Sequence, residues 1–202
     1  MARTRRPDTP PRARLFVALD LPPSARAALV EWQSDALRGR DDLRAVAPDA
    51  LHVTLAFLGH RPEDEIEPIA EATGDAVRDL PPATLAPAGV KPVPPRRARL
   101  FALDLEDPGE RAGAIHAAVS QALAQRGFYE PEKRAFWPHV TVARVNREIR
   151  HAAPIALSPP ADPFTADDVS LYRSRLGRGP ARYEALGRWR LPARPPVRGR
   201  RP

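Results

Sequence analysis

Apolar and polar positions along the chain fall into two similar series. Residues 14–21 read Arg-Leu-Phe-Val-Ala-Leu-Asp-Leu and residues 99–105 read Arg-Leu-Phe-Ala-Leu-Asp-Leu, the same segment apart from one extra residue. Each is a short apolar run rich in strand formers, followed by proline at Pro22-Pro23 or Pro108, and each predicts a strand. Helical spacing comes next. Ala25, Leu29, Trp32 and Ala36 mark one helix; Ile115, Val119, Ala122 and Leu123 mark the other, with Gly127 placed as its C-terminal stop. A second strand then follows in each series, His52-Val53-Thr54-Leu55 and His139-Val140-Thr141-Val142. The separation from Leu15 to His52 is 37 positions and from Leu100 to His139 it is 39, so order, spacing and sequence all indicate a duplicated strand–helix–strand unit.

Between the series, Ile66, Ile69, Thr73 and Val77 suit one face of a further helix, although Pro68 and Gly74 weaken its pattern. Residues 81–95 hold six prolines and predict an extended connection. Val169–Ser174 and Tyr183–Leu191 read as two closing strands, with Gly177-Arg178-Gly179-Pro180 as the turn between them. The expected class is α+β: a bilobal, pseudo-two-fold duplicated unit, with two mainly antiparallel sheets flanking a central cleft and helices on the outer faces. One two-lobed domain is expected over residues 14–192, with repeat halves at about 14–80 and 99–150 and closing strands at about 165–192.

Composition narrows the chemistry. The chain has 202 residues and no cysteine, which excludes disulfides, thiolate metal sites and a cysteine nucleophile. No apolar run approaches the ~20 residues of a membrane-spanning helix, and the basic N-terminus lacks the apolar stretch of a secretory signal, so a cytoplasmic protein is expected. Residues 1–13 carry four Arg and one Asp, and residues 193–202 carry four Arg and no acid; together they account for the whole net charge of +7. Both segments read as disordered basic tails, and the body between them is near neutral.

Side chains two apart on a strand share a face, so His52 projects with Thr54 and His139 with Thr141. Imidazoles at matching places in a duplicated unit suit a proton donor and a proton acceptor on opposite sides of one phosphorus. The neighbouring hydroxyls suit its non-bridging oxygens. A cyclic phosphodiester fits, since its leaving oxygen stays tethered, and neither cofactor nor metal is required. Which histidine donates and which accepts is left open by these residues. Arg134 and Arg144 flank the second motif and are candidate phosphate contacts. Phe136 and Trp137 read as core residues, with base stacking as the alternative, while Asp20 and Asp104 read as strand-end caps. His60, in an expected turn, His116, in a helix, and His151 are assigned no catalytic role.

At these residues the sequence resembles the two-histidine phosphoesterase superfamily, specifically the RNA 2′,3′-cyclic phosphodiesterases also called LigT-like 2′-5′ RNA ligases. The resemblance runs from about Arg14 to Leu191. It is carried by Arg14-Leu15-Phe16-Val17-Ala18, by His52-Val53-Thr54-Leu55-Ala56-Phe57-Leu58-Gly59, by Pro138-His139-Val140-Thr141-Val142-Ala143-Arg144, and by the ending Ser174 through Tyr183. Val142 stands where that family often has Leu. The resemblance implies a bilobal fold that hydrolyses RNA terminal 2′,3′-cyclic phosphates to 2′-phosphomonoesters, with reversible 2′-5′ ligation also associated. It makes His52 the proton donor and His139 the acceptor, with Thr54 and Thr141 holding phosphate. The partners it implies are RNA ends or nucleotides bearing a 2′,3′-cyclic phosphate, with no membrane, and a monomer is expected. Two other readings stay open: a non-catalytic nucleotide or RNA-end binding module, and the same fold acting on another cyclic phosphate or a 2′-5′ oligonucleotide.

Overall fold

The computed structural model describes residues 11–175 and 182–193. Both expected tails, apart from a few residues at their inner ends, and the expected turn at Gly177–Pro180 lie outside the described residues. The elements in chain order are β1 (Arg12–Asp20), α1 (Pro23–Ala36), β2 (Leu43–Ala45), β3 (His52–Pro62), α2 (Ile66–Val77), β4 (Ala83–Val93), β5 (Leu100–Glu106), α3 (Arg111–Gln125), β6 (His139–Val145), β7 (Phe164–Ala166), β8 (Asp168–Arg175) and β9 (Arg182–Arg190). The class is α+β, with every strand pairing antiparallel.

The strands follow one hydrogen-bonded path, β7-β4-β5-β6-β3-β1-β8-β9, with β2 on β6. Where the sequence suggests two separate sheets, the pairing is continuous but narrows to a single register pair, Val53↔Val140, between β3 and β6. Both valines are fully buried, as are Leu15, Val17 and Leu19 of β1 and Phe101 and Leu103 of β5. The alternate positions of β1 and β3 face away from that core.

Local chemistry sets the helix ends. α1 starts at Pro23, whose fixed φ and missing N–H suit the first helical position. Asp107 accepts from the backbone N–H groups of Arg111 and Gly113 at the start of α3 (3.1 and 2.9 Å). At its other end Gly127 adopts φ +73°, and Phe128 N donates to Leu123 O at 2.9 Å, the helix stop expected there. Pro68 sits in the first turn of α2, where its absent N–H has no intrahelical partner to lose. Gly74 has a tertiary cause: a Cβ there would lie 2.5 Å from the Trp189 indole of β9.

Helix packing crosses between the halves of the strand path. The Gln33 amide of α1 donates to Val46 O and to Val142 O on β6 (3.2 and 2.6 Å), and α3 packs on β3 as well as on β4. α2 lies against α3 and β9.

Two further sequence readings are corrected. The proline-rich segment is not a plain connection: Ala83–Val93 is strand β4, in register with β5 from Ala86↔Glu106 to Val93↔Leu100. On the other side β7 pairs only with residues 83–85, so Pro87 and Pro92 lie where β4 has no described second partner and a missing donor is tolerated. His60 is not in a turn but within β3, which continues to Pro62. The short strands β2 and β7, three residues each, carry too few alternations to be read from sequence. No described helix is long and apolar enough to cross a membrane.

Candidate active site

Equivalent registers position the two motifs. Across β1 and β3, Asp20 faces His52 and Ala18 faces Thr54; across β5 and β6, Asp104 faces His139 and Ala102 faces Thr141. Small alanines opposite the threonines leave room beside each hydroxyl. Each pair of strands is then interrupted in the same place. Register slips by one residue between Val17 and Ala18 on the first pair and between Phe101 and Ala102 on the second, bulging β3 at Leu55 and β6 at Val142. The extra residue inverts the alternation, so Phe57 joins the face of His52 and Thr54, and Arg144 joins the face of His139 and Thr141.

These faces meet in one cavity of about 180 Å³, lined by His52, Thr54, His139 and Thr141 together with Phe57 and Arg144. Arg14, Arg44, Ser174 and Tyr183 also line it, and among the described residues no carboxylate does. Arg44 of β2 lies directly opposite Arg144 in register. Arg134 does not line the cavity: its side chain is exposed and pairs with Glu132 at 2.9 Å.

The two imidazoles have different surroundings. His52 is packed in aromatic rings, stacked on Phe16 at 4.8 Å and edge-on to Tyr183 at 5.4 Å. Burial pushes its pKa down to about 4; the Ala50 backbone and the Asp20 charge oppose the shift, and His139 and Arg144 reinforce it. His139 has Nδ1 at 2.9 Å from Trp137 O. A carbonyl only accepts, so Nδ1 carries the proton and Nε2 of the neutral ring presents its lone pair. The Trp137 indole stacks on His139 at 4.2 Å and 18° and donates to Asp104. Phe136 stacks on His116 at 4.3 Å. Both rings are therefore engaged within the protein.

The two aspartates do more than cap strands. Asp20 is buried and accepts from Ser170 Oγ (2.8 Å) and Tyr172 OH (2.7 Å), with Arg188 Nε at 3.3 Å. Asp104 accepts from Lys91 and Trp137; burial alone would raise its pKa, and those two hydrogen bonds hold it below the usual carboxylate range. Each thus supports an imidazole from behind, Asp20 by its charge and Asp104 through the ring that stacks on His139. Sequence spacing locates both carboxylates but not these partners, which come from β4, β8, β9 and the segment just before β6. Neither Phe57 nor Arg44 is given a role by the sequence. The available signal was the pair His52-Val-Thr-Leu-Ala-Phe57 and His139-Val-Thr-Val-Ala-Arg144, whose sixth positions correspond.

The sequence profile of the 2′-5′ RNA ligase superfamily matches residues 21–178, which contain both His-x-Thr strands. The chain belongs to the 2′-5′ RNA ligase superfamily. Relatives within this superfamily include the RNA 2′,3′-cyclic phosphodiesterase of Escherichia coli, 29% identical over 180 residues that cover 88% of this chain and 96% of that protein. The RNA 2′,3′-cyclic phosphodiesterase of Thermus thermophilus is 33% identical, covering 88% of this chain and 90% of the relative. Among solved structures, E. coli LigT complexed with 3′-AMP superposes with a TM-score of 0.74 at 27% identity, covering 90% of this chain and 99% of LigT.

Proposed function

We propose that this protein hydrolyses 2′,3′-cyclic phosphates at RNA ends to 2′-phosphomonoesters, using His52 as proton donor and His139 as proton acceptor. The observation that carries this reading is the convergence of two His-x-Thr strands, from β3 and β6, on one cavity free of carboxylates among the described residues. Water attacks phosphorus and gives a proton to His139 Nε2; the bond from phosphorus to the ribose O3′ breaks, and O3′ takes a proton from His52. Thr54 and Thr141 donate to the non-bridging oxygens, and the Arg144 guanidinium offsets their charge. Support for His139 as acceptor comes from the Trp137 carbonyl, which fixes the tautomer that leaves Nε2 free. A bound phosphate places a negative charge beside His52 and raises its pKa, so the substrate itself promotes protonation of the donor.

The molecule is read as one two-lobed domain over residues 14–192, formed from two halves related by a pseudo-two-fold axis. The matched registers at Asp20/His52 and Asp104/His139 and the matched bulges support that reading.

The test is incubation of purified protein, with EDTA present, with a short RNA ending in a 2′,3′-cyclic phosphate, and identification of the product isomer. A 2′-phosphate made by the intact protein, and lost by at least about a hundredfold in His52→Ala and His139→Ala, is the expected result. Tight binding of the RNA end without turnover would instead favour a binding module.

A further inference from the structure

The cavity carries more positive charge than one cyclic phosphate uses. A cyclic phosphodiester brings a single negative charge, yet three arginines line the cavity and no described carboxylate does. Arg144 stands beside the histidines by virtue of the β6 bulge, and Arg44 is its neighbour across strands. Arg14 is elsewhere, on β1; its match in the repeated segment, Arg99, does not line the cavity.

Arg14 heads a row of donors across three adjacent strands. Its Nη1 donates to Ser174 Oγ of β8 at 3.2 Å, and Ser174 is directly in register with Tyr183 of β9. All three side chains line the cavity, and the Ser174 hydroxyl proton remains available, since Arg14 uses only its oxygen. The guanidinium is held in place from its other side by Phe57, whose ring centroid lies 4.6 Å from it. The Tyr183 ring is 5.4 Å from the His52 ring, so this row begins beside the proposed donor and leads away from the His139 side.

Resting on the proposed hydrolysis of cyclic phosphates, we infer that Arg14, Ser174 and Tyr183 form a second phosphate subsite. Its ligand is the phosphate 5′ to the terminal nucleotide, which in an RNA end is the phosphodiester to the preceding nucleotide. The row supplies a guanidinium and two hydroxyls, a donor set for phosphate oxygens. The substrate class selected is therefore an oligonucleotide end or a 5′-phosphorylated nucleotide, in preference to a nucleoside cyclic phosphate.

Binding tests this without requiring turnover. Calorimetry would compare adenosine 2′-monophosphate with adenosine 2′,5′-bisphosphate on the full chain. The bisphosphate is expected to bind about tenfold more tightly, the size of one charge-assisted hydrogen-bonded contact. In Arg14→Gln that preference should shrink to about twofold or less, and Tyr183→Phe, which keeps the ring, should lower it by about threefold. If Arg14→Gln does not fold, the Tyr183→Phe result decides. Equal affinity for the two ligands in the intact protein, or a variant that weakens both ligands alike, would overturn the subsite. Turnover of a short RNA ending in a 2′,3′-cyclic phosphate is measured alongside. Its absence with the bisphosphate preference intact would remove the hydrolytic reading and leave the second phosphate subsite standing.

Discussion

His52 sits under a ceiling of aromatic carbon that favours the neutral ring, yet the proposed reaction asks it for a proton. The two requirements are reconciled by the substrate. Its pKa is pushed down to about 4, chiefly by burial. With an anionic phosphate beside it the protonated form persists to higher pH. Because kcat/KM reports the free enzyme and kcat the complex, the descending alkaline limb of kcat/KM should lie at clearly lower pH than that of kcat. Coincident limbs would show that phosphate binding does not set the donor's protonation. His139, held by the Trp137 carbonyl, has no comparable aromatic enclosure beyond a single stacked indole. Nearly all of this residue-level chemistry was legible as identity: His52, Thr54, His139, Thr141 and Arg144 all reach the cavity. What the sequence could not supply was environment. The aromatic enclosure of His52 draws on Phe16, Tyr172 and Tyr183 from three strands, and only folding brings them together.

At the scale of elements, strands with a strong apolar signal of their own were legible and strands defined by partners were not. β1 and β5 are continuous apolar runs, β3 and β6 open on an alternating His-Val-Thr pattern, and all four announce themselves. β4 carries Pro87 and Pro92, and its strand character comes from β5 alongside it. The bulges at Leu55 and Val142 are likewise silent in the sequence, since one additional aliphatic residue looks like any other; yet they choose Phe57 and Arg144 as cavity residues. Gly74 shows a helix-weakening residue retained for a neighbour's sake. The Trp189 indole occupies the space of its missing side chain and also closes on Gly187, where a Cβ would be 2.6 Å away. Gly74→Ala should therefore destabilise the protein by about 1–3 kcal/mol despite the better helix propensity of alanine, as overpacking does elsewhere. Urea unfolding would read it, and a variant as stable as the parent would mean that Trp189 moves aside freely.

For the molecule as a whole, the low pKa of His52 couples the site to global stability. A histidine whose pKa falls from 6.5 unfolded to about 4 folded contributes stability that is complete above pH 6.5 and is lost as pH falls toward 4. The loss should reach at most about 3 kcal/mol. His52→Gln, which does not titrate, should lose correspondingly less stability between pH 7 and pH 4 in urea titrations, and inorganic phosphate should protect the parent chain. The larger architecture adds a second coupling. Gln33 of α1 reaches into the half that holds β6, while α3 covers β3, so each half of the strand path takes part of its hydrophobic cover from the other. The two halves also interlock in the sheet, where β2 pairs with β6 and β8 with β1. Separately expressed fragments divided between α2 and β4 should consequently remain unfolded alone and recover a common structure, and turnover, only when mixed. Crossed cover makes the enzyme indivisible: alignment of the two histidines and burial of the core are one event, with no state in which half a catalyst waits for its complement.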